Sequence, residues 1–376
     1  MKKVFIACGG TGGHLSPGIA LAEELVSRNW KCTLLISNKQ VDSRLVSKYS
    51  QFSYETLSGS TFSLGPAGFA RFAVNLLKGT LSCYRRLEKE RPDIVIGFGG
   101  FLTMPAMLAA LLRGIPTAVH EANRVPGRVT RIVSLFARRI YLPKGVGIRT
   151  KRASRIRHLG MPVRREIHQI TKLHAKRTLG FDPQQKTLLV MGGSQGAESL
   201  NNWVKKSLNS LADREIQVLC LTGGAGANSS LTLKSPKGAA VKFIFRRFCD
   251  DMATALSAAD LVVSRSGAGS IAEMVRCRAP GILIPYPFSA DDHQIANAKN
   301  FEMLGCGLYM MQDYLSDLLD EVKDVMYNDW LLQKFRKNLE LADRSDVLAF
   351  MARDIEGIVS ENRTSFLGSA KPEMSS

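Results

Sequence analysis

The chain has 376 residues, more than one ordinary hydrophobic core accommodates, which predicts two domains. Its 45% hydrophobic and 22% charged content is usual for a soluble globular protein, and its best apolar run, Met104 to Leu112, is half of the roughly 20 residues a membrane-spanning helix needs. Lys and Arg number 51 against 33 Asp and Glu, and the resulting charge of +18 attracts nucleic acid, anionic lipid or phosphorylated substrates.

Met1-Lys2-Lys3 runs into a short apolar stretch and then Gly-Gly, a strand and turn rather than a signal peptide, so the chain is expected to stay in the cytoplasm. Strand-like apolar runs follow at Lys3–Cys8, Cys32–Ser37, Asp93–Gly97, Pro116–His120 and Arg139–Leu142. A second set occupies Thr187–Met191, Gln217–Thr222, Val241–Phe245, Leu261–Ser264 and Gly281–Pro285. Helix-length segments separate them. This alternation predicts two doubly wound α/β domains with right-handed crossovers.

Gly160-Met161-Pro162 marks the expected boundary, giving domains 1–161 and 162–344. A helical stretch at about 345–362 is expected to pack back on the first domain, and 364–376 reads as a loose tail. The seven cysteines are scattered and form no CxxC pair, which argues for reduced thiols and against a zinc site.

Gly-rich turns at 9–13, 97–100, 192–196 and 267–269 each end a strand-like run. Glycine there lets backbone N–H groups approach an anion at the positive end of the next helix. Several such turns in both halves predict a nucleotide. A dinucleotide fingerprint fits poorly, because Leu15 stands where the third glycine belongs and Ile36-Ser37-Asn38 lacks the ribose-binding acid. GxxxxGK[ST] is absent.

Gly9-Gly10-Thr11-Gly12-Gly13-His14 with Pro17-Gly18, Gly97-Phe98-Gly99-Gly100-Phe101, His120-Glu121-Ala122-Asn123, Gly160-Met161-Pro162-Val163-Arg164, Gly192-Gly193-Ser194-Gln195-Gly196-Ala197 and Ser264-Arg265-Ser266-Gly267-Ala268 occur in one order. Together they resemble the UDP-N-acetylglucosamine:muramyl-pentapeptide-pyrophosphoryl-undecaprenol N-acetylglucosaminyltransferases, from residue 3 to about 300. The resemblance implies a GT-B architecture, two Rossmann-like domains separated by a deep cleft. The donor would bind the C-terminal domain, and the acceptor and membrane the N-terminal one. It implies inverting transfer of N-acetylglucosamine from UDP-N-acetylglucosamine to the 4-hydroxyl of N-acetylmuramic acid in lipid I, giving lipid II for peptidoglycan, with no metal or other cofactor. It also implies a peripheral enzyme on the cytoplasmic side of the plasma membrane, with other cell-wall synthesis proteins as candidate partners.

By the same resemblance Glu273 accepts hydrogen bonds from the ribose, and the amides of Ala268, Gly269 and Ser270 face the pyrophosphate. The family usually carries Leu-Thr where Gly269-Ser270 stands. Ser194 and Arg164 would contact phosphate or donor, Gln294 the donor sugar, and Cys249 the uracil, where Ile is frequent. Asn123 would orient the acceptor or the donor sugar, and Thr11, Gly12 and Gly13 would bind phosphates of either. His14 is the candidate base, since a His at a helix N-terminus is pushed toward its neutral form. Glu121 and His120 compete for that role. Asp291-Asp292 reads as a helix cap rather than a metal site.

Residues 62–90 interleave Phe62, Leu64, Phe69, Phe72, Leu76, Leu77 and Tyr84 with Arg71, Lys78, Arg85 and Arg86. This pattern suits an anionic membrane surface, or an amphipathic helix against the core. A related transferase acting on another glycolipid would share the donor site, and the motifs at 9–14 and 120–123 favour the muramyl acceptor. A nucleic-acid-binding role has only the charge behind it, and no nucleic-acid partner is expected.

Overall fold

A computed structural model describes residues 1–10, 12–38, 45–57, 66–150, 152–193, 197–224, 228–343 and 346–368. The chain divides into two compact units. The first holds Met1–Ala122, Pro126–Arg164 and the chain from Asp346 onward; the second holds Asn123–Val125 and Arg165–Ser345.

The first unit has a seven-stranded, wholly parallel sheet in the order β3-β2-β1-β4-β5-β6-β7. Its strands are β1 (Lys2–Ala7), β2 (Trp30–Ser37), β3 (Ser53–Leu57), β4 (Ile94–Gly97), β5 (Thr117–His120), β6 (Arg139–Leu142) and β7 (Ile156–His158). Alternation along each strand feeds two apolar layers. Val4, Ile6, Leu34, Ile36, Ile94 and Ile96 face one side with the helix Gly12–Ser27. Phe5, Ala7, Leu35, Val95 and Val119 face the other, with helices Pro66–Glu90 and Thr103–Leu112.

The final helix, Val347–Gly368, returns to the first layer, where Met351, Ala352, Ile355, Ile358 and Val359 are buried. Asp354 on this helix accepts from Arg139 Nε at 2.7 Å and from the Tyr141 hydroxyl at 2.8 Å. The helix runs four residues past the start of the expected tail; residues 369–376 lie outside the described chain. The change of unit falls at Arg164/Arg165, three residues beyond the expected 161/162.

The second unit repeats the plan in the order β10-β11-β9-β8-β12-β13-β14. Here β8 is Lys186–Met191, β9 Ile216–Leu221, β10 Ser229–Lys234, β11 Ala240–Arg246, β12 Leu261–Ser264, β13 Gly281–Leu283 and β14 Gly307–Tyr309. Only the edge strand β10 is antiparallel, against β11. Leu188, Val190, Val218, Phe243, Leu261, Val263 and Ile282 form one layer, with Trp203 and Leu211 of the helix Glu198–Asp213 packed on it. Among the described residues no helix is long and apolar enough to cross a membrane.

Two stability predictions follow from burial in the first unit. Ile355 is fully buried, so Ile355→Ala is expected to lower stability by about 2–5 kcal/mol and Ile355→Val by about 1 kcal/mol. Urea unfolding reads this, and an unchanged midpoint would remove the last helix from the core. His120 is also buried, and desolvation pushes its pKa down to about 4 from 6.5. The unfolded chain therefore takes a proton that the folded chain refuses. The stability this residue carries is complete above pH 6.5 and is lost as pH falls toward 4, with a slope of up to about 1.4 kcal/mol per pH unit. His120→Gln should flatten that part of the stability profile; an unaltered slope would contradict the assignment.

Candidate active site

In the first unit the candidate residues His14 and Glu121 lie beyond the carboxyl ends of β1 and β5, beside the turn after β4, where open parallel sheets bind ligands. The chain leaves β1 through Gly9, whose N–H donates to Leu35 O at 3.2 Å. A Cβ on Gly9 would lie 2.3 Å from the backbone N of Ser37, so no other residue fits. The helix Gly12–Ser27 starts immediately afterwards, and Gly12 and Gly13 sit partly or fully exposed in its first turn. Thr11 lies outside the described residues.

His14, half-buried one residue later, lies against the turn that follows β4. Gly99 and Gly100 both have left-handed backbones, with φ of 89° and 75°. A methyl group on Gly100 would fall 3.1 Å from His14 Nδ1, and one on Gly99 would fall 3.3 Å from Nε2. The imidazole is thus seated face to face with a turn that only glycine makes without strain.

Glu121, buried just after β5, has a different setting. Its Oε2 accepts from Gly127 N and from the Thr130 hydroxyl, each at 2.9 Å. These donors belong to the start of the short helix Arg128–Val133, so this carboxylate oxygen works as a cap on that helix. His120 is turned inward, with Nε2 3.4 Å from Gly160 O and its ring 5.3 Å from Phe98. Arg164 is buried within the first unit and its Nη1 donates to the Tyr49 hydroxyl at 3.5 Å.

In the second unit the corresponding end of the sheet carries β12, a short turn and the helix Ala268–Arg276. Its N-cap, Gly267, is extended and supplies no side-chain cap. The amides of Ala268, Gly269 and Ser270 therefore lie in a first turn that no N-cap side chain closes, and all three residues are partly exposed. Glu273 stands half-buried in the second turn of the same helix. Ser194 lies outside the described residues, as do Gln195 and Gly196.

Gln294 is fixed at one end. Its Oε1 accepts from Tyr286 N at 2.9 Å, and its backbone carbonyl accepts from the Ser266 hydroxyl at 2.8 Å. With Oε1 committed, Gln294 offers its NH2 group as a donor. Cys249 is half-buried in the turn after β11, with Sγ 3.2 Å from Asp251 O, and burial pushes its thiol pKa up. Asp251 caps the next helix by accepting from Thr254 N at 2.9 Å.

Asp292 does not form the expected cap. Asp291 and Asp292 both have left-handed backbones, φ 50° and 51°, and Asp292 makes no side-chain cap bond to the helix His293–Met303. They bend the chain instead. Among the described residues no group of three His, Cys, Asp or Glu could hold a metal ion.

Two residues emerge that sequence motifs alone did not assign. Asn297 is buried; its Nδ2 donates to Asn123 Oδ1 at 3.0 Å and to Ser266 O at 3.1 Å, while its Oδ1 accepts from Arg124 N at 2.9 Å. It is why Asn123–Val125 belong to the second unit, and it places Asn123 beside Ser266, the partner of Gln294. Arg265 is also buried. It donates to Ile284 O at 3.2 Å, Pro285 O at 3.1 Å and the Ser199 hydroxyl at 2.9 Å, and it lies 5.5 Å over the Tyr286 ring. A buried Arg inside a glycine-rich motif was the available signal.

Known proteins match this arrangement along its length. The glycosyltransferase family 28 N-terminal domain matches residues 4–142, and the glycosyltransferase family 28 C-terminal domain matches residues 187–347. The UDP-N-acetylglucosamine–N-acetylmuramyl-(pentapeptide) pyrophosphoryl-undecaprenol N-acetylglucosamine transferase of Opitutus terrae is 47% identical over 357 residues, covering 95% of each chain. The protein of the same name from Protochlamydia amoebophila is 34% identical over 303 residues, 80% of each chain. Acinetobacter baumannii MurG has the same fold, with a TM-score of 0.72 and 22% identity over 95% of this chain and 100% of its own. The chain therefore belongs to the family of UDP-N-acetylglucosamine–N-acetylmuramyl-(pentapeptide) pyrophosphoryl-undecaprenol N-acetylglucosamine transferases.

Proposed function

We propose that the protein transfers N-acetylglucosamine from UDP-N-acetylglucosamine to the 4-hydroxyl of N-acetylmuramic acid in undecaprenyl-pyrophosphoryl-muramyl-pentapeptide, with inversion. The observation that carries this is the 47% identity across 95% of the chain. It spans both units, including the groups at the carboxyl ends of both sheets.

The second unit takes the donor. The N–H groups of Ala268, Gly269 and Ser270 offset the charge that grows on the diphosphate as the glycosidic bond breaks. This is the task a divalent cation performs in metal-dependent transferases. Glu273 accepts from the ribose hydroxyls, Gln294 donates through its NH2 group to a sugar hydroxyl, and Asn123 sits on the same side. Cys249 and Ser194 complete the donor contacts. The first unit takes the acceptor, with Gly12 and Gly13 binding phosphate through their amides. His14 removes the proton of the attacking hydroxyl as that oxygen bonds to the anomeric carbon and UDP leaves. Glu121, with one oxygen already accepting two hydrogen bonds, holds the loop in shape.

The lipid-linked acceptor calls for a membrane surface, and the helix Pro66–Glu90 supports one. Thr80, Cys83 and Leu87 are its buried side. Val74, Leu77 and Leu81 are 50%, 61% and 50% exposed, and Arg71, Lys78 and Arg85 are exposed beside them. Phe72 instead packs edge-on against Phe101, at 6.1 Å. Phe62 and Leu64 lie outside the described residues, as does the Phe69 side chain. An apolar stripe plus several cations, each contributing about 1 kcal/mol at an anionic surface, gives reversible peripheral binding at the cytoplasmic face of the plasma membrane.

Radiolabelled UDP-N-acetylglucosamine and a short-chain lipid acceptor should yield a disaccharide product, with the same rate in chelator. Absence of product would sink the assignment. His14→Ala should lower kcat by about 10²–10⁴-fold while UDP affinity holds; near-normal turnover would move the base elsewhere. Leu77→Asp with Leu81→Asp should release the protein from phosphatidylglycerol vesicles without changing UDP affinity, and unchanged vesicle binding would discard the membrane face.

A further inference from the structure

At the other end of the second sheet, where β8 and β12 begin, lies a cavity of about 270 Å³. Its wall includes Thr171 and Lys172 at the start of one helix, Ser257 near the end of another, Arg278 just past the helix Ala268–Arg276, and Arg336 from the helix Asp329–Ala342. None of these residues serves the donor groups, which lie at the carboxyl ends of the strands.

The charge around this cavity does not balance. Asp260 is the central acid. Lys172 Nζ lies 2.6 Å from one of its oxygens and Lys176 Nζ 3.0 Å from the other, and Arg336 Nη2 is 3.8 Å away. Thr187 N also donates to Asp260 Oδ2 at 2.9 Å. Three cations thus share one carboxylate whose oxygens are already in use. Arg278 adds a fourth, paired with the mostly exposed Glu340 at 2.8 Å. Two helix C-termini and one helix N-terminus, that of Lys172–Thr178, also meet there, and at about half a charge each they sum to roughly half a negative charge. Four cations against two acids and those three helix ends leave a positive surplus of about one and a half charges. Burial pushes the Lys172 pKa down; Asp260 opposes this, while Arg336 and Lys176 lower it further. An incoming anion would relieve that crowding.

We propose that this cavity is a second anion site, for a small phosphate-bearing ligand of phosphate or diphosphate size, separate from the UDP-sugar site. Lys172, Arg278 and Arg336 approach it from three different elements. Each is partly exposed, at 37%, 40% and 32% of its side chain, so each can turn a donor toward the void. The two guanidinium groups favour the paired oxygens of a phosphate, and Thr171 adds a hydroxyl. The volume, about 270 Å³, lies at the low end for small-molecule pockets, roughly 300–1,000 Å³, and suits a small anion.

The test uses the full chain saturated with UDP, so that the donor site is filled, and inorganic pyrophosphate as the probe in a calorimetric titration at physiological ionic strength. One further binding event is expected. Arg278→Gln with Arg336→Gln should weaken it at least tenfold while UDP affinity stays as in the parent, which also certifies the fold. Lys172→Gln, a milder change, should weaken it in the same direction. No pyrophosphate binding in the presence of UDP, or equal affinity in parent and double variant, would overturn the proposal. Glycerol phosphate should compete with the probe. Competition by phosphatidylglycerol vesicles as well would identify a lipid headgroup as the source of the same phosphate chemistry. The UDP arm reads the transferase site independently, so failure here leaves that function standing.

Discussion

The absence of a side chain at Gly9 governs the first unit. The strand β1 must turn within contact distance of the end of β2, and a Cβ 2.3 Å from Ser37 N would push it away. The helix Gly12–Ser27 begins directly after this turn, with Gly12 and Gly13 partly or fully exposed in its first turn. His14 is carried to the Gly99–Gly100 turn by the same geometry. That second turn is left-handed at both positions, so its backbone, with no Cβ between, forms the floor under the imidazole. The placement of His14 is therefore a packing result before it is an electrostatic one.

The interior of both sheets was legible in the sequence because buried parallel strands are continuous apolar runs. Arg139–Leu142 and Leu261–Ser264 fall where the pattern puts them, and the other expected strands shift by a residue or two. The edges were not legible. Ser53–Leu57 and Ser229–Lys234 are largely exposed and carry the polar residues that edge strands tolerate. Ile156–His158 and Gly307–Tyr309 are three residues each, too short to hold a period. Of the site, the glycine turns could be read because backbone needs leave a compositional trace. The partnerships of Glu121 with Thr130, and of Asn297 with Asn123, could not, since a hydrogen bond between distant positions leaves none.

The charge distribution shows the same limit. Between Glu121 and Glu166 the sequence has 13 Lys or Arg and no acid, which suggests an open cationic field. Part of that field is answered by the last helix, some 200 residues further on. Asp354 pairs with Arg139 at 2.7 Å and lies 3.7 Å from Arg157, and Glu361 pairs with Arg138 at 3.1 Å. The Arg139 pair is shielded, with side chains only 14% and 12% exposed, so it is less screened than a surface bridge. These arginines hold the C-terminal helix to the first sheet. For the proposed membrane contact, the cations are those of the helix Pro66–Glu90.

A related reassignment bears on the chemistry. Arg265 lies within the glycine-rich motif of the second unit and would be an obvious partner for a departing diphosphate. Its Nη1 and Nη2 groups are instead spent on Ile284 O, Pro285 O, Ser199 and Gln312, and its face covers Tyr286. Arg265 fixes the loop that fixes Gln294; it does not reach for phosphate. In the proposed donor site, stabilising the leaving group then falls to main-chain N–H groups in the first turn of Ala268–Arg276, which no N-cap side chain closes. Backbone donors do not depend on which side chain they carry. On that proposal the Gly269-Ser270 pair, where the family resemblance expects Leu-Thr, would offer the diphosphate the same backbone donors.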